Sequence, residues 1–172
     1  MQIFLVGFMG CGKTSIGKKL ANRLNLHFVD LDNYIEQKTG KKISLIFETQ
    51  GEETFRKFEN KYLKELQKKD NILISTGGGT PCFLENMELI NNTGISIYLE
   101  MNTQSLVQRL MNAKSQRPLI IGKNKKELAD YVEKTLAERE QYYKKANIII
   151  NALHPDISEL SKQILNQTQN NN

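Results

Sequence analysis

The sequence predicts an α/β domain built on a mostly parallel sheet. Short apolar runs at 71–75, 95–99 and 148–150 alternate with longer segments of helical periodicity. The run at 2–6 is apolar almost without interruption, the pattern of a strand buried on both faces rather than on one. A glycine-rich turn at 7–12 then joins this strand directly to an amphipathic segment. In sheets of this kind ligands lie beyond the carboxyl ends of the strands. The turns just after strands are therefore the places to look for chemistry.

The elements follow in order. Ile16, Leu20 and Leu24 give residues 15–24 a helical stripe. Residues 27–30 form a second strand ending in acid, and 33–39 a short helix stopped by Gly40. Residues 44–50 are a further helical piece. Gly51 separates it from a long charged helix with Phe55, Phe58, Tyr62, Leu63 and Leu66 on its apolar face. The strand at 71–75 ends in Gly77-Gly78-Gly79. A helix at 84–92, a strand at 95–99 and a helix at 103–112 follow. Residues 114–124 are polar and basic and read as a loop. A helix at 125–145, a strand at 148–150 and a last helix at 156–166 complete a single domain over 1–166. The Gln/Asn-rich stretch 167–172 reads as a frayed polar tail.

The chain has 172 residues and carries 24 basic against 19 acidic side chains, a net charge of +5. Only five of the bases are Arg, and most Lys sit beside Glu in helical stretches. That is a solvated helix face, not a phosphate-tracking stripe, so no nucleic-acid partner is expected. No apolar run approaches the roughly 20 residues that span a bilayer. The N-terminal run is too short for a signal-peptide core and lacks a basic start. With two Cys and no export signal, the expectation is a reduced, cytoplasmic protein, monomeric and with no membrane partner.

Residues 7–14 read Gly-Phe-Met-Gly-Cys-Gly-Lys-Thr, which fits G-x-x-x-x-G-K-[ST], the P-loop. Glycines let the backbone N–H groups wrap a phosphate, and the following helix N-terminus favours an anion. Lys13 reaches the β- and γ-phosphates, and the Thr14 hydroxyl can take one place on an octahedral Mg²⁺. The motif signals a nucleoside triphosphate without saying which one. Cys11, inside the loop, fits either a small filler or a redox-sensitive thiol at a helix N-terminus.

Asp30 and Asp32 follow the second strand. If that stretch is extended, residues two apart face the same way and both carboxylates enter one cleft. One can hold Mg²⁺; the other can orient a hydroxyl or take its proton. Asp32 also suits a helix cap, a compatible role. Arg56, Arg109, Arg117 and Arg139 lie in segments that can face a site, and Arg suggests a need for bidentate geometry. Glu59 lies one helical turn after Arg56 and can lock its guanidinium, leaving one face for a substrate carboxylate; a plain surface pair is the alternative. Three glycines in a row make sense where a ligand meets bare backbone. Arg117-Pro118 sits in a segment, about 112–124, that can close as a mobile lid and exclude water. Asn124-Lys125-Lys126-Glu127 superficially matches the guanine-reading N-K-x-D of GTPases, but it ends in Glu and no D-x-x-G element accompanies it.

Together these residues resemble the shikimate kinase family, small P-loop kinases of the nucleoside monophosphate kinase fold. The most specific part is Arg56-x-x-Glu59-x-x-x-Leu63 followed by Leu73-Ile74-Ser75-x-Gly77-Gly78-Gly79. The P-loop, Asp30-x-Asp32, Phe55 and Arg117-Pro118-Leu119 accompany it, so the resemblance covers residues 2–165. It implies a three-layer α/β/α fold with five parallel strands in the order 2-3-1-4-5. It also implies ATP-dependent phosphorylation of the 3-hydroxyl of shikimate, on the chorismate route to aromatic amino acids. By this resemblance Gly10, Cys11, Gly12, Lys13, Thr14 and Ser15 hold the ATP phosphates. Thr14 and Asp30 hold Mg²⁺, and Asp32 binds the reacting hydroxyl and is the candidate base. Arg56 and Arg139 bind the shikimate carboxylate, Gly77, Gly78 and Gly79 meet the ring hydroxyls, and Phe47 and Phe55 wall the ring. Arg117 closes from the lid onto the transferred group. Arg109 and the loop Asn151 to Pro155 flank adenine.

Overall fold

Ile3, Phe4, Leu5 and Val6 are all wholly buried. Successive side chains of a strand point to opposite faces, so this strand is covered on both. A computed structural model, which describes residues 1–113 and 120–170, shows why. The strands β1 (Gln2–Val6), β2 (His27–Asp30), β3 (Ile72–Ser75), β4 (Ile95–Glu100) and β5 (Ile148–Asn151) form one sheet in the order β2-β3-β1-β4-β5. Every pairing is parallel, with Gln2 opposite Ile72 on one side of β1 and Ile3 opposite Ile95 on the other. This is the predicted strand order.

The helices are α1 (Lys13–Leu24), α2 (Leu31–Thr39), α3 (Ile43–Leu66), α4 (Asn86–Thr93), α5 (Thr103–Met111), α6 (Lys125–Tyr143) and α7 (Ile157–Asn170). Leu20, Ile35, Leu63, Leu66, Ile90, Leu106, Val132 and Ile164 from seven helices are each wholly buried. Burying such a side chain contributes about 1.5–3 kcal/mol. Helix α1 packs on α7, α2 on α3, and α5 on α6. No helix among the described residues is long and apolar enough to cross a membrane.

Four local features differ from the sequence reading. Helix α2 begins at Leu31, with Asp30 rather than Asp32 as its N-cap; the Asp30 carboxylate accepts from the Asn33 amide at 3.4 Å. Asp32 therefore sits in the first helical turn, not on an extended stretch. Residues 80–82 form a short 3-10 turn, and α4 starts at Asn86 rather than at 84. Residues 84 and 85 instead make a corner with positive φ, 51° and 56°. Finally, α7 continues through 167–170, because buried Leu160 and Ile164 anchor it and Thr168 bonds back to the Ile164 carbonyl at 2.9 Å. The two helical pieces around Gly51 run together as α3, broken at Gly51 by φ 79° and ψ 170°, as its glycine suggested. The Asn124–Glu127 pair proves to be a capping box at the start of α6, which accounts for its partial likeness to a guanine-reading motif.

Candidate active site

The strand order changes direction at β1, with β2 and β3 on one side and β4 and β5 on the other. A cleft of about 290 Å³ opens beyond the carboxyl ends of β1, β2 and β3, where such sheets bind ligands. It is lined by Gly10, Gly12, Lys13, Thr14 and Ser15 after β1, by Asp30 and Asp32 after β2, and by Ser75, Thr76, Gly77 and Gly78 after β3. One short turn per strand thus contributes each group of predicted residues.

The turn after β1 is shaped by Gly10 and Gly12, at φ 84° and 104°. A side chain there would be strained, so glycine is required. Lys13 is largely buried and donates to the carbonyls of Gly7 and Phe8 at 2.7 and 3.0 Å. Cys11 is wholly buried beneath the turn, a packing position. Its carbonyl accepts from Arg109 Nη1 at 3.2 Å. Arg109 thus lies on the P-loop. The Thr14 hydroxyl donates to Asp30 Oδ2 at 3.0 Å, placing a hydroxyl and a carboxylate side by side. Both are hard oxygen donors of the kind Mg²⁺ takes in small number alongside phosphates. Among the described residues no group of three or more His, Cys, Asp or Glu is placed to hold a metal ion.

The second half of the site is an arginine clasp. Arg56 on α3 is buried and donates through Nη1 to Glu59 Oε2 at 2.6 Å. Its Nε and Nη2 both reach Glu52 Oε1, at 3.2 and 2.8 Å. The guanidinium lies over the Phe83 ring at 4.3 Å and the Phe55 ring at 5.4 Å. Phe47 packs on Phe55 at 4.8 Å. Gly79 is glycine because a Cβ there would sit 2.6 Å from Arg56 Nη1. A Cβ on Gly78 would lie 3.4 Å from Arg139 Nη1, so the second guanidinium, from α6, reaches the same loop. Arg139 also stands over Phe8 at 5.8 Å. A Cβ on Gly77 would meet Glu59 Oε1 at 2.7 Å and Asp32 Oδ1 at 3.0 Å. The triplet is therefore the hinge point between the carboxylates of α2 and α3 and the two arginines.

Glu59 is wholly buried. Burial pushes its carboxyl above the usual range, against the opposing pull of Arg56, the Thr80 hydroxyl and Arg139. Tyr143 donates to the Gly78 carbonyl, tying α6 to the triplet, and its phenol is raised by burial. Pro81 is the second residue of the 3-10 turn, where its fixed φ and missing N–H are suited.

Arg117 lies outside the described residues, as do residues 114–119 of the predicted lid. Asn151 lines a separate hollow of about 380 Å³ with Glu100, Met101, Asn102, Thr103, Leu136, Glu140 and Leu153. Arg109 and Pro155 are not among the residues lining that hollow. The sequence reading missed Ser75, Thr76 and Phe83. Ser75 and Thr76 are simply the last strand residue and its successor, and position was their signal. Phe83 carried no local signal at all.

Known proteins place these features. A family model described as shikimate kinase matches residues 9–169. The shikimate kinase of Azobacteroides pseudotrichonymphae genomovar. CFP2 is 50% identical over 149 residues, covering 86% of this chain and 88% of that protein. The crystal structure of shikimate kinase from Bacteroides thetaiotaomicron superposes with a TM-score of 0.90 at 40% identity, covering 98% of both chains. Shikimate kinase from Acinetobacter baumannii, solved in complex with shikimate, gives a TM-score of 0.83 at 34% identity, covering 99% of this chain and 93% of that one. With its P-loop, its Asp30–Asp32 pair and its arginine–glycine clasp gathered at one end of the sheet, this chain belongs to the shikimate kinase family.

Proposed function

We propose that this chain transfers the γ-phosphoryl group of ATP to the 3-hydroxyl of shikimate, giving shikimate 3-phosphate and ADP. The observation that carries the reading is that the phosphate turn, Asp32 and the first two glycines of the triplet line one crevice, with Arg56 standing against the third glycine, Gly79. The hydroxyl oxygen attacks the γ-phosphorus while the bond to the β–γ bridging oxygen breaks. The electron pair leaves with ADP, and the hydroxyl proton passes to Asp32. Such transition states are loose, so alignment and charge neutralisation supply most of the acceleration.

The residue roles follow. Gly10, Cys11, Gly12 and Ser15 present the turn that cradles the phosphates. Lys13 exchanges its bonds to the Gly7 and Phe8 carbonyls for phosphate oxygens. Thr14 and Asp30 would hold Mg²⁺, which supplies neutralisation of the β- and γ-phosphate charge. Arg56 and Arg139 grip the substrate carboxylate, and Phe47, Phe55 and the triplet border its ring. Arg109, fixed on the P-loop, together with Asn151 and Pro155, borders the nucleotide, and Arg117 closes on the transferred group. The reading has the chain act as a monomer in the cytoplasm, where its two unpaired thiols, Cys11 and Cys82, are stable. A coupled ADP-release assay on the purified chain, with shikimate, gluconate and nucleoside monophosphates as acceptors, tests it. Turnover with shikimate alone is expected; absence of shikimate-dependent ADP release removes the reading.

A further inference from the structure

Glu59 is the structural root of the arginine clasp, and its two oxygens have different partners. Oε2 receives Arg56. Oε1 receives the hydroxyl of Thr80, the residue just after the glycine triplet, through a short hydrogen bond. Thr80 is itself wholly buried and does not line the cleft. Its backbone is held on both sides: its amide donates to the Gly77 carbonyl at 3.2 Å, and its carbonyl accepts from Asn86 Nδ2 at 2.9 Å. Asn86, also wholly buried, accepts in turn from Asn60 on α3 at 2.7 Å. The 3-10 turn is thus bolted to the same face of α3 that carries Arg56 and Glu59. Its next aromatic, Phe83, covers the guanidinium.

A buried ion pair holds one geometry only when its remaining lone pairs are satisfied. Nothing but Thr80 is seen to satisfy Glu59 Oε1 among the described hydrogen bonds. We propose that Thr80 is a positioning residue for the acceptor substrate: its hydroxyl fixes the rotation of the Glu59 carboxylate, and through it the orientation in which Arg56 meets the substrate carboxylate. The proposal rests on Arg56 binding that carboxylate.

The charge balance gives a signature that simple loosening of the fold would not. The groups facing Glu59 are Arg56 on its own helix, Arg139 from α6, Asp32 from α2 across Gly77, and the Cys82 thiol from the 3-10 turn. Burial already favours the neutral carboxyl, and the Thr80 hydroxyl opposes it. Without that hydroxyl Glu59 takes up its proton at higher pH, and a neutral Glu59 holds Arg56 poorly.

The test compares Thr80→Val and Thr80→Ser with the unaltered chain between about pH 6 and pH 9, reading kcat and both KM values. Thr80→Val is expected to raise the shikimate KM about tenfold, the scale of one hydrogen bond to a charged group. Its kcat and ATP KM should stay within about twofold, and the rise in shikimate KM on the acid side should begin at higher pH. Thr80→Ser should restore all three. A shikimate KM unchanged in Thr80→Val at every pH, or a Thr80→Ser as impaired as Thr80→Val, overturns the proposal. Should Thr80→Val fail to fold, Thr80→Cys keeps the volume with a weaker donor; an intermediate shikimate KM supports the proposal and an unaltered one overturns it. Arg56→Ala separates the layers: if it too leaves the shikimate KM unchanged, the assignment of Arg56 itself is wrong.

Discussion

Lys13 and Arg56 are both buried cations, yet they are held for different tasks. Lys13 is bonded to carbonyls of its own loop, neutral partners that a phosphate readily outcompetes. Arg56 is bonded to two carboxylates, so its orientation is set before substrate arrives. Lys13→Ala should therefore lower kcat by about 10²–10³-fold, as for removal of a charge-stabilising group, with the shikimate KM little changed; steady-state kinetics in both substrates checks this. Arg56→Ala should weaken shikimate binding by about 2–5 kcal/mol, the cost of leaving a desolvated carboxylate unpaired. Titration calorimetry with shikimate reads it directly. For Asp32→Asn a fall in kcat of about 10²–10⁴-fold is expected, because the amide cannot accept the hydroxyl proton. Retained turnover in that variant would dismiss Asp32 as the base. Lys13, Thr14, Asp30 and Asp32 were legible because each lies within a few residues of a strand end. Phe83 was not, since its contact with Arg56 spans two elements and depends on the corner at Leu84 and Glu85.

At the scale of elements, the strand-to-helix junctions do the positioning. The segments that line the cleft each follow directly on a strand, β1, β2 or β3, so the rigidity of the sheet is passed to their side chains. Two glycines inside helices show what packing demands. Gly51 permits the break that turns α3 so that its long arm carries Arg56 and Glu59 toward the triplet. Gly17 lets α1 lie close on the sheet: a Cβ there would sit 2.6 Å from Phe28 Cε2 and 3.0 Å from Leu5 Cδ1. Gly17→Ala should destabilise the fold by about 1–3 kcal/mol through overpacking. Urea unfolding measures this, and unchanged or raised stability would show that Phe28 yields freely. Gly51 was readable from its place between two helical patterns. The role of Gly17 was not, because a glycine in a helical stripe has no mark until the opposing Phe28 is known.

For the whole molecule, the strand order brings groups far apart in sequence to one end. Arg56 lies on α3 and Arg139 on α6, with two strands and two helices between them, yet both guanidinium groups stand against Gly78 and Gly79. Cys82 feels the charge of both. Burial pushes its thiol up to about 11, although Arg139 and Arg56 pull it down. The unfolded chain loses this proton near 9 while the folded chain keeps it. Folded stability should therefore be undisturbed by this group below that value and fall as pH rises from 9 toward 11. Denaturant unfolding across that range should show a steeper loss in the natural chain than in Cys82→Ser; parallel profiles would contradict the assignment.

The sequence by itself determined the class of fold, the phosphate turn, the acidic pair and the arginine–glycine set. Each is a local pattern: a run buried on both faces, a turn that only glycine can make, or residues one helical turn apart. It offered Asp32 as a helix cap where Asp30 takes that place, and left the turn after the triplet as featureless chain. Those matters were decided by the tertiary structure, because the position of a cap and the partner of a buried hydroxyl depend on which surfaces meet. Thr80 touches Glu59 only once α3 is laid across the end of β3, and spacing along one chain does not encode that distance.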